Sequence, residues 1–333
     1  MVRSVIPWIF CLLILGSLAS PLALCVVASH GAVMFVATLR NSEAILPNFI
    51  VELERAVDHI HTQHRMSTAI SVYESGSIDG TKNMLQAWHV RPTRFGRRVI
   101  VCANDTAPEA ALSRLDRLAR ARNRALRQAR QLWPRGGDEY AAYYVFLNDV
   151  FFQAADLLQL IDAIVHGDYN MVCAMDFYRG FYDRWVTRGP DGSIPSRWPP
   201  FFMDAPAVFE RGRPIVEVES CWNGLAVVRA SAVPQAFRAE PVQGCVVSEC
   251  QIFANEVRQR RNDSAGQIAV LLDTHIAYDP LHYQLQRTLM HRYRDVFRRL
   301  NSLSRRLVHT LFVLKMRSTG SERPCPLLPM LCC

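Results

Sequence analysis

Asn148-Asp149 closes the run Tyr143 to Leu147, Asp176 closes Met171 to Met175, and Glu74 closes Thr68 to Tyr73. Each run is apolar, aromatic or β-branched throughout or nearly so, as a strand buried on both faces of a mostly parallel sheet requires. Open α/β sheets bind ligands in the crevice beyond the carboxyl ends of their strands, where these oxygen-bearing side chains would gather. Oxygen donors suit Mg²⁺ or Mn²⁺, and such a cation commonly bridges one or two carboxylates to substrate phosphates. Asn148-Asp149 could equally open the turn before the next helix.

The turn Glu74-Ser75-Gly76-Ser77-Ile78-Asp79-Gly80-Thr81-Lys82 joins a strand to a helix through Met84, Leu85 and Trp88. Small residues let backbone amides approach a ligand, a helix start favours phosphate, and a strand-end acid accepts hydrogen bonds from a ribose or base. Asp79 or Ser77 could instead only cap the helix. Arg122-Asn123 falls in the apolar stripe of an arginine-rich helix, Ala111 to Trp133. Arg122 either snorkels or faces a diphosphate. Glu249 follows Ser248 at the start of another helix, where an acid favours the dipole. His275 follows the strand Ile268 to Leu272 and could ligate a metal. Phe177 to Phe202 carries Tyr178, Tyr182, Trp185 and Trp198, aromatic faces that suit pyranose rings and suit packing under a long loop nearly as well.

The elements that would position these residues alternate strand and helix. Strands are expected at 32–39, 68–73, 98–102, 143–147, 171–175, 215–218, 225–228 and 268–272. Helices are expected over 43–64, from 81 through Trp88, and over 111–133, 154–164 and 248–257. Leu281 to Met316 has leucines at helical spacing among many arginines, as in a helix that packs on the domain or lies on anionic lipid.

Half of the 333 residues are hydrophobic, which supplies a sizeable core. The net charge of +8 rests on arginine, since the only lysines are Lys82 and Lys315. Guanidinium suits phosphate, but no zinc-finger spacing or basic run with stacking aromatics is present, so nucleic acid is not an expected partner. Val5 to Ala28 is nearly unbroken apolar sequence behind Arg3, long enough to cross a bilayer. A signal anchor is expected over 1–31, with the rest translocated, although a cleaved signal peptide would also fit. Sequons at Asn104 and Asn262 agree with that compartment. So do Cys102, Cys173, Cys221, Cys245 and Cys250, whose pairing the sequence leaves open. A zinc site from Cys221, Cys245 and Cys250 lacks the close paired spacing of zinc modules.

Taken in order, several motifs resemble the fungal capsule-associated α-1,3-mannosyltransferase family, the cryptococcal mannosyltransferase type. They are Val72 to Lys82, Arg122-Asn123, Val145 to Val150, Cys173 to Phe177, Tyr182 to Val186, Glu219 to Gly224, Ser248-Glu249-Cys250 and His275 to Tyr278. The match covers roughly 33 to 280. Arg188-Gly189 departs from it, because the family tends to read Arg-Asp there.

The resemblance implies an α/β, single-domain nucleotide-diphospho-sugar transferase of GT-A-like form. Its mixed, mostly parallel sheet would span 32–282, with a C-terminal basic amphipathic helix and tail over 283–333. It implies GDP-mannose as donor, a mannoside or oligosaccharide acceptor, Mn²⁺ or Mg²⁺, a retained α-1,3 linkage, and a Golgi or other secretory membrane with the catalytic domain luminal. Asn148, Asp149 and His275 would hold the metal, while Glu74, Ser75, Asp79, Arg122 and Asn123 would bind the donor. Asp176 and Glu249 would serve near the reacting centre, and Trp222 and Asn223 would meet the acceptor. The competing expectation is a non-catalytic glycan-binding or scaffold protein that keeps this fold.

Overall fold

The computed structural model describes residues 31–93, 96–103, 112–132, 141–199, 201–202, 214–239, 241–242, 245–260, 267–299, 304, 307 and 310. The expected anchor, apart from Gly31, lies outside the described residues, as do both sequons and the cysteines of the tail. No described helix is long and apolar enough to cross a membrane.

Eight strands form one sheet: β1 (Ala32–Leu39), β2 (Ser67–Glu74), β3 (Arg97–Cys102), β4 (Ala141–Leu147), β5 (Tyr169–Phe177), β6 (Ile215–Val218), β7 (Leu225–Arg229) and β10 (Gln267–Ala277). Two short strands, β8 (Pro241–Val242) and β9 (Cys245–Val246), pair only with each other. The sheet order is β3-β2-β1-β4-β7-β5-β10-β6. β1 to β5 and β10 run in one direction, while β7 and β6 run against their neighbours. The sheet is therefore mixed and mostly parallel, as expected. β7 separates β4 from β5, so the two acid-ended strands flank a strand that enters from the ligand-binding end.

Side chains alternate across the sheet with period two. Val33, Phe35 and Ala37 enter the layer built with α1 (Leu46–Gln63), α2 (Thr81–Val90) and α4 (Ala154–His166). Met34 and Val36 enter the layer with α3 (Arg114–Gln131) and α5 (Glu249–Gln259). α3 meets the sheet through Ala119, Ala121, Ala125 and Ala129, small residues that bring its axis close. The Ser113 side chain accepts from the Asp116 amide at its start, one of the helix's orphan donors. α6 (Pro280–Arg299) begins where Asp279 accepts from the His282 amide, and it buries Tyr283, Gln286 and Met290. The helix thus packs on the body that the sequence reading ended at residue 282.

Cys173 on β5 is disulfide-bonded to Cys221, just ahead of β7, across a separation of 48 residues. The loop so closed contains the aromatic segment 177–202, and chain-entropy arguments give such a bond about 4 kcal/mol. This bond takes up Cys221, and Cys250 is buried beside Glu249, so neither is placed for the zinc site that the cysteine spacing also argues against. β10 also corrects an expected boundary. It continues to Ala277 through a register irregularity between Val270 and His275, so His275 lies inside the strand and not beyond its end.

Candidate active site

The carboxyl ends of β4 and β5 and the turn into β7 bring two charged groups together. The first centres on Arg122, which α3 holds almost wholly buried. Its guanidinium donates to Glu249, in the first turn of α5, and to Asn148 Oδ1 at 3.2 Å. Trp222 Nε1 donates to the same Asn148 oxygen at 3.3 Å, and its ring lies 5.2 Å under the guanidinium. Burial pulls the Arg122 pKa down, but Cys250, Glu249, Asp183 and Tyr278 more than reverse this, so the guanidinium stays charged. Its Nε is buried without a hydrogen-bond partner.

The second group is a pair of carboxyls. Asp176 accepts from the Asp183 amide at 3.0 Å and from the Tyr278 hydroxyl at 3.2 Å. Asp183 accepts from the Asn223 amide at 3.0 Å. Burial, reinforced by the charge of Asp183, pushes the Asp176 carboxyl well above its ordinary range. Burial likewise raises Asp183 to about 6, against the Asn223 hydrogen bond and Arg122. Two acids in one desolvated space favour a retained proton. Asp183 and Tyr278 were not among the expected site residues, although both stood inside motifs that carried the resemblance.

The turn between the groups is specified locally. Asn223 has φ of 53° and Gly224 of 69°, a left-handed pair in which Asn and Gly are the tolerant residues. A Cβ at Gly224 would come within 2.9 Å of Val150 Cγ1. The Gly224 carbonyl accepts from the Asn148 amide at 2.8 Å, which ties this turn to the end of β4.

The other expected site residues divide among different roles. Glu74 is fully buried and accepts from the Ser77 amide, with Lys82 Nζ 3.9 Å from its second oxygen, which has no hydrogen-bond partner. Ser75 donates its amide to the Leu39 carbonyl. Asp79 accepts from the Glu43 and Thr81 amides and so ties the β1–α1 connection to the start of α2. Asn123 uses both ends of its amide on the backbone of Phe237, whose ring packs beside the Arg122 guanidinium. Trp222 is 3 % exposed and Asn223 fully buried, the latter bonded to Thr187 and the Ala174 carbonyl. These two frame the site, while the exposed aromatic surface nearby is Tyr178, Trp185 and Trp198.

His275 has its Nε2 2.9 Å from the Leu272 carbonyl and its ring 5.5 Å from that of Phe177. Burial lowers its pKa to about 4, so the imidazole is neutral. Among the described residues no three His, Cys, Asp or Glu side chains converge to hold a metal. Asp149 does supply one hard donor, whose pKa burial raises to about 6 despite Arg122 and Arg114. The Asn148 oxygen already accepts two hydrogen bonds. This donor set fits a cation that takes most of its ligands from a diphosphate, and it does not fit a cage built from protein alone.

Comparison with known proteins adds the following. The family model described as cryptococcal mannosyltransferase 1 matches residues 32–256. Alpha-1,3-mannosyltransferase CMT1 of Cryptococcus neoformans is 26% identical over 288 residues, 76% of this chain. The chain spans 59% of that relative's length. The S. aureus TarS 1–349 structure aligns with a TM-score of 0.42 at 12% identity, covering 86% of this chain and 72% of that one. Mannosyltransferase PcManGT from Pyrobaculum calidifontis, solved with GDP-Man and Mn²⁺, aligns at 0.43 and 12%, covering 87% and 76%.

Proposed function

The chain belongs to the cryptococcal mannosyltransferase family, and from that premise we propose that it transfers a mannosyl group from GDP-mannose to an α-mannoside acceptor. The observation that carries the reading is the buried, charged Arg122 beside Asn148-Asp149 at the end of β4. A fixed guanidinium with little water around it stabilises charge developing on a departing nucleoside diphosphate. Glu249 is then a positioning residue, which orients Arg122 through their ion pair.

Asp149 would hold Mn²⁺ or Mg²⁺ together with the donor's phosphates, and the cation when bound would neutralise the leaving group further. Glu74, whose second oxygen makes no hydrogen bond, would receive the donor's base or ribose. Asp176 and Asp183 hold a proton where the acceptor hydroxyl would approach, and Tyr278 orients Asp176. The exposed Trp185 and Trp198 give the acceptor its stacking surface. Retention and an α-1,3 linkage belong to the same proposal. So does a secretory-pathway membrane location with a luminal catalytic domain, which the Cys173–Cys221 disulfide supports.

The test is GDP release from GDP-mannose with Mn²⁺, with and without an α-mannoside, followed by linkage analysis of the product. Acceptor-dependent release that falls at least ~100-fold in Asp149→Ala, about 3 kcal/mol of barrier, supports the reading. Folded protein that releases no GDP with any mannoside would contradict it and favour the glycan-binding alternative.

A further inference from the structure

Helix α6 buries one face and exposes a second, apolar one. Tyr283, Gln286 and Met290 face the body and are 2 %, 6 % and 2 % exposed. Leu281, Leu285, Leu289 and Val296 are 62 %, 55 %, 40 % and 59 % exposed. At 3.6 residues per turn these four fall within about 80° of one another, centred about 130° round the helix from the buried side. Isolated exposed leucines need no explanation, but an aligned stripe of them marks a contact surface.

The charges on the helix discriminate among occupants. α6 carries five arginines against one acid, Asp295. Arg292 and Arg299 are exposed and project within the apolar arc, while Asp295 lies outside it. A second copy packed across this stripe would bring arginines of like charge together in a dehydrated contact. An anionic phospholipid surface complements both parts, taking the leucines among its acyl chains and pairing the guanidinium groups with its headgroups. Tyr178, 38 % exposed, lies 4.8 Å from the His282 ring at the start of the helix and extends the surface with a side chain suited to the headgroup level.

We propose that the outer face of α6, formed by Leu281, Leu285, Leu289, Arg292, Val296 and Arg299, lies on the surface of an anionic membrane. This contact is separate from any anchor at the N-terminus. It does not depend on the transferase reading.

The test uses the full chain with phosphatidylcholine vesicles, with or without phosphatidylserine, that carry a diazirine in the acyl chain. After irradiation, the labelled peptides are mapped by mass spectrometry. The expected result is labelling of peptides from 280–299 in phosphatidylserine vesicles, at least about fivefold less in pure phosphatidylcholine. Leu285→Glu with Leu289→Glu would lose that label while melting at the wild-type temperature, and Arg292→Gln with Arg299→Gln would lose the preference for phosphatidylserine. Vesicle-bound protein without label in 280–299 would overturn the proposal. Equal labelling in both vesicles would remove the anionic part, and lipid-independent cross-links between two copies through this helix would assign the face to a second copy.

Discussion

The two charged groups at the strand ends are balanced in different ways. Around Arg122 a cation meets an acid in a buried ion pair, and the acidic groups near it keep the guanidinium charged against its burial. Around Asp176 an acid meets an acid, and burial is offset by holding a proton. Only about one turn of chain, Trp222 to Gly224, separates them, with Trp222 bonded to the first group and the Asn223 amide to the second. A single rigid turn thus sets a permanent positive charge beside a proton store. Glycosyl transfer uses both, the charge on the leaving diphosphate and the proton balance at the acceptor hydroxyl.

The largest expected effect comes from unbalancing the charged group. Arg122→Leu leaves Glu249 buried without its counter-ion and should lower stability by about 3–5 kcal/mol. Arg122→Leu with Glu249→Leu should recover most of that stability without recovering activity. Chemical denaturation of both variants checks this, and equal destabilisation would mean that the pair is not coupled.

The proton-balanced group should show itself through pH. An unfolded aspartate titrates near ~3.9, and Asp183 in the folded chain at about 6. Its folded pKa is raised, so between those values the folded state keeps a proton that the unfolded state has released. The Asp183 contribution to stability therefore falls as pH rises from about 4 to about 6 and is level above, alongside contributions of the same sign from Asp149 and Asp176. Asp183→Asn should make this slope shallower and gain stability relative to wild type above pH 6. Melts across pH 4 to 7.5 with unchanged slope would show that Asp183 stores no proton.

The smallest effect is expected at the surface. Trp185→Ala and Trp198→Ala remove exposed rings and should raise the acceptor KM a few-fold, about 1 kcal/mol each, with GDP-mannose KM unchanged. A change confined to the donor would move these residues to the other side of the site.

The charged half was largely legible in the sequence, and of the proton half only Asp176 was. Asn148-Asp149 and Arg122 stood out because the apolar run and the helical stripe around them are regular, so an interruption is visible. Asp183 lies seven residues beyond Asp176 in a segment with neither helical nor strand periodicity, and the amides of Tyr182 and Asp183, both bonded to Asp176, bring the acids together. Trp222 and Asn223 read as contact residues because their burial depends on β7 entering between β4 and β5, a strand order that local pattern does not encode. His275 read as a strand-end residue because the acid and hydroxyl of Asp273-Thr274 suggest a turn. β10 instead continues, with Thr274 bonded to Gln159 of α4.

The most direct test of the central claim is calorimetric titration of the folded chain with GDP, with and without Mn²⁺, in wild type, Asp149→Ala and Asp183→Asn. Binding strengthened by Mn²⁺ in wild type and in Asp183→Asn, with that gain lost in Asp149→Ala, is the predicted result. Binding that is indifferent to Mn²⁺ in wild type, or a gain that survives Asp149→Ala, would contradict the assignment of the diphosphate to the charged group at the end of β4.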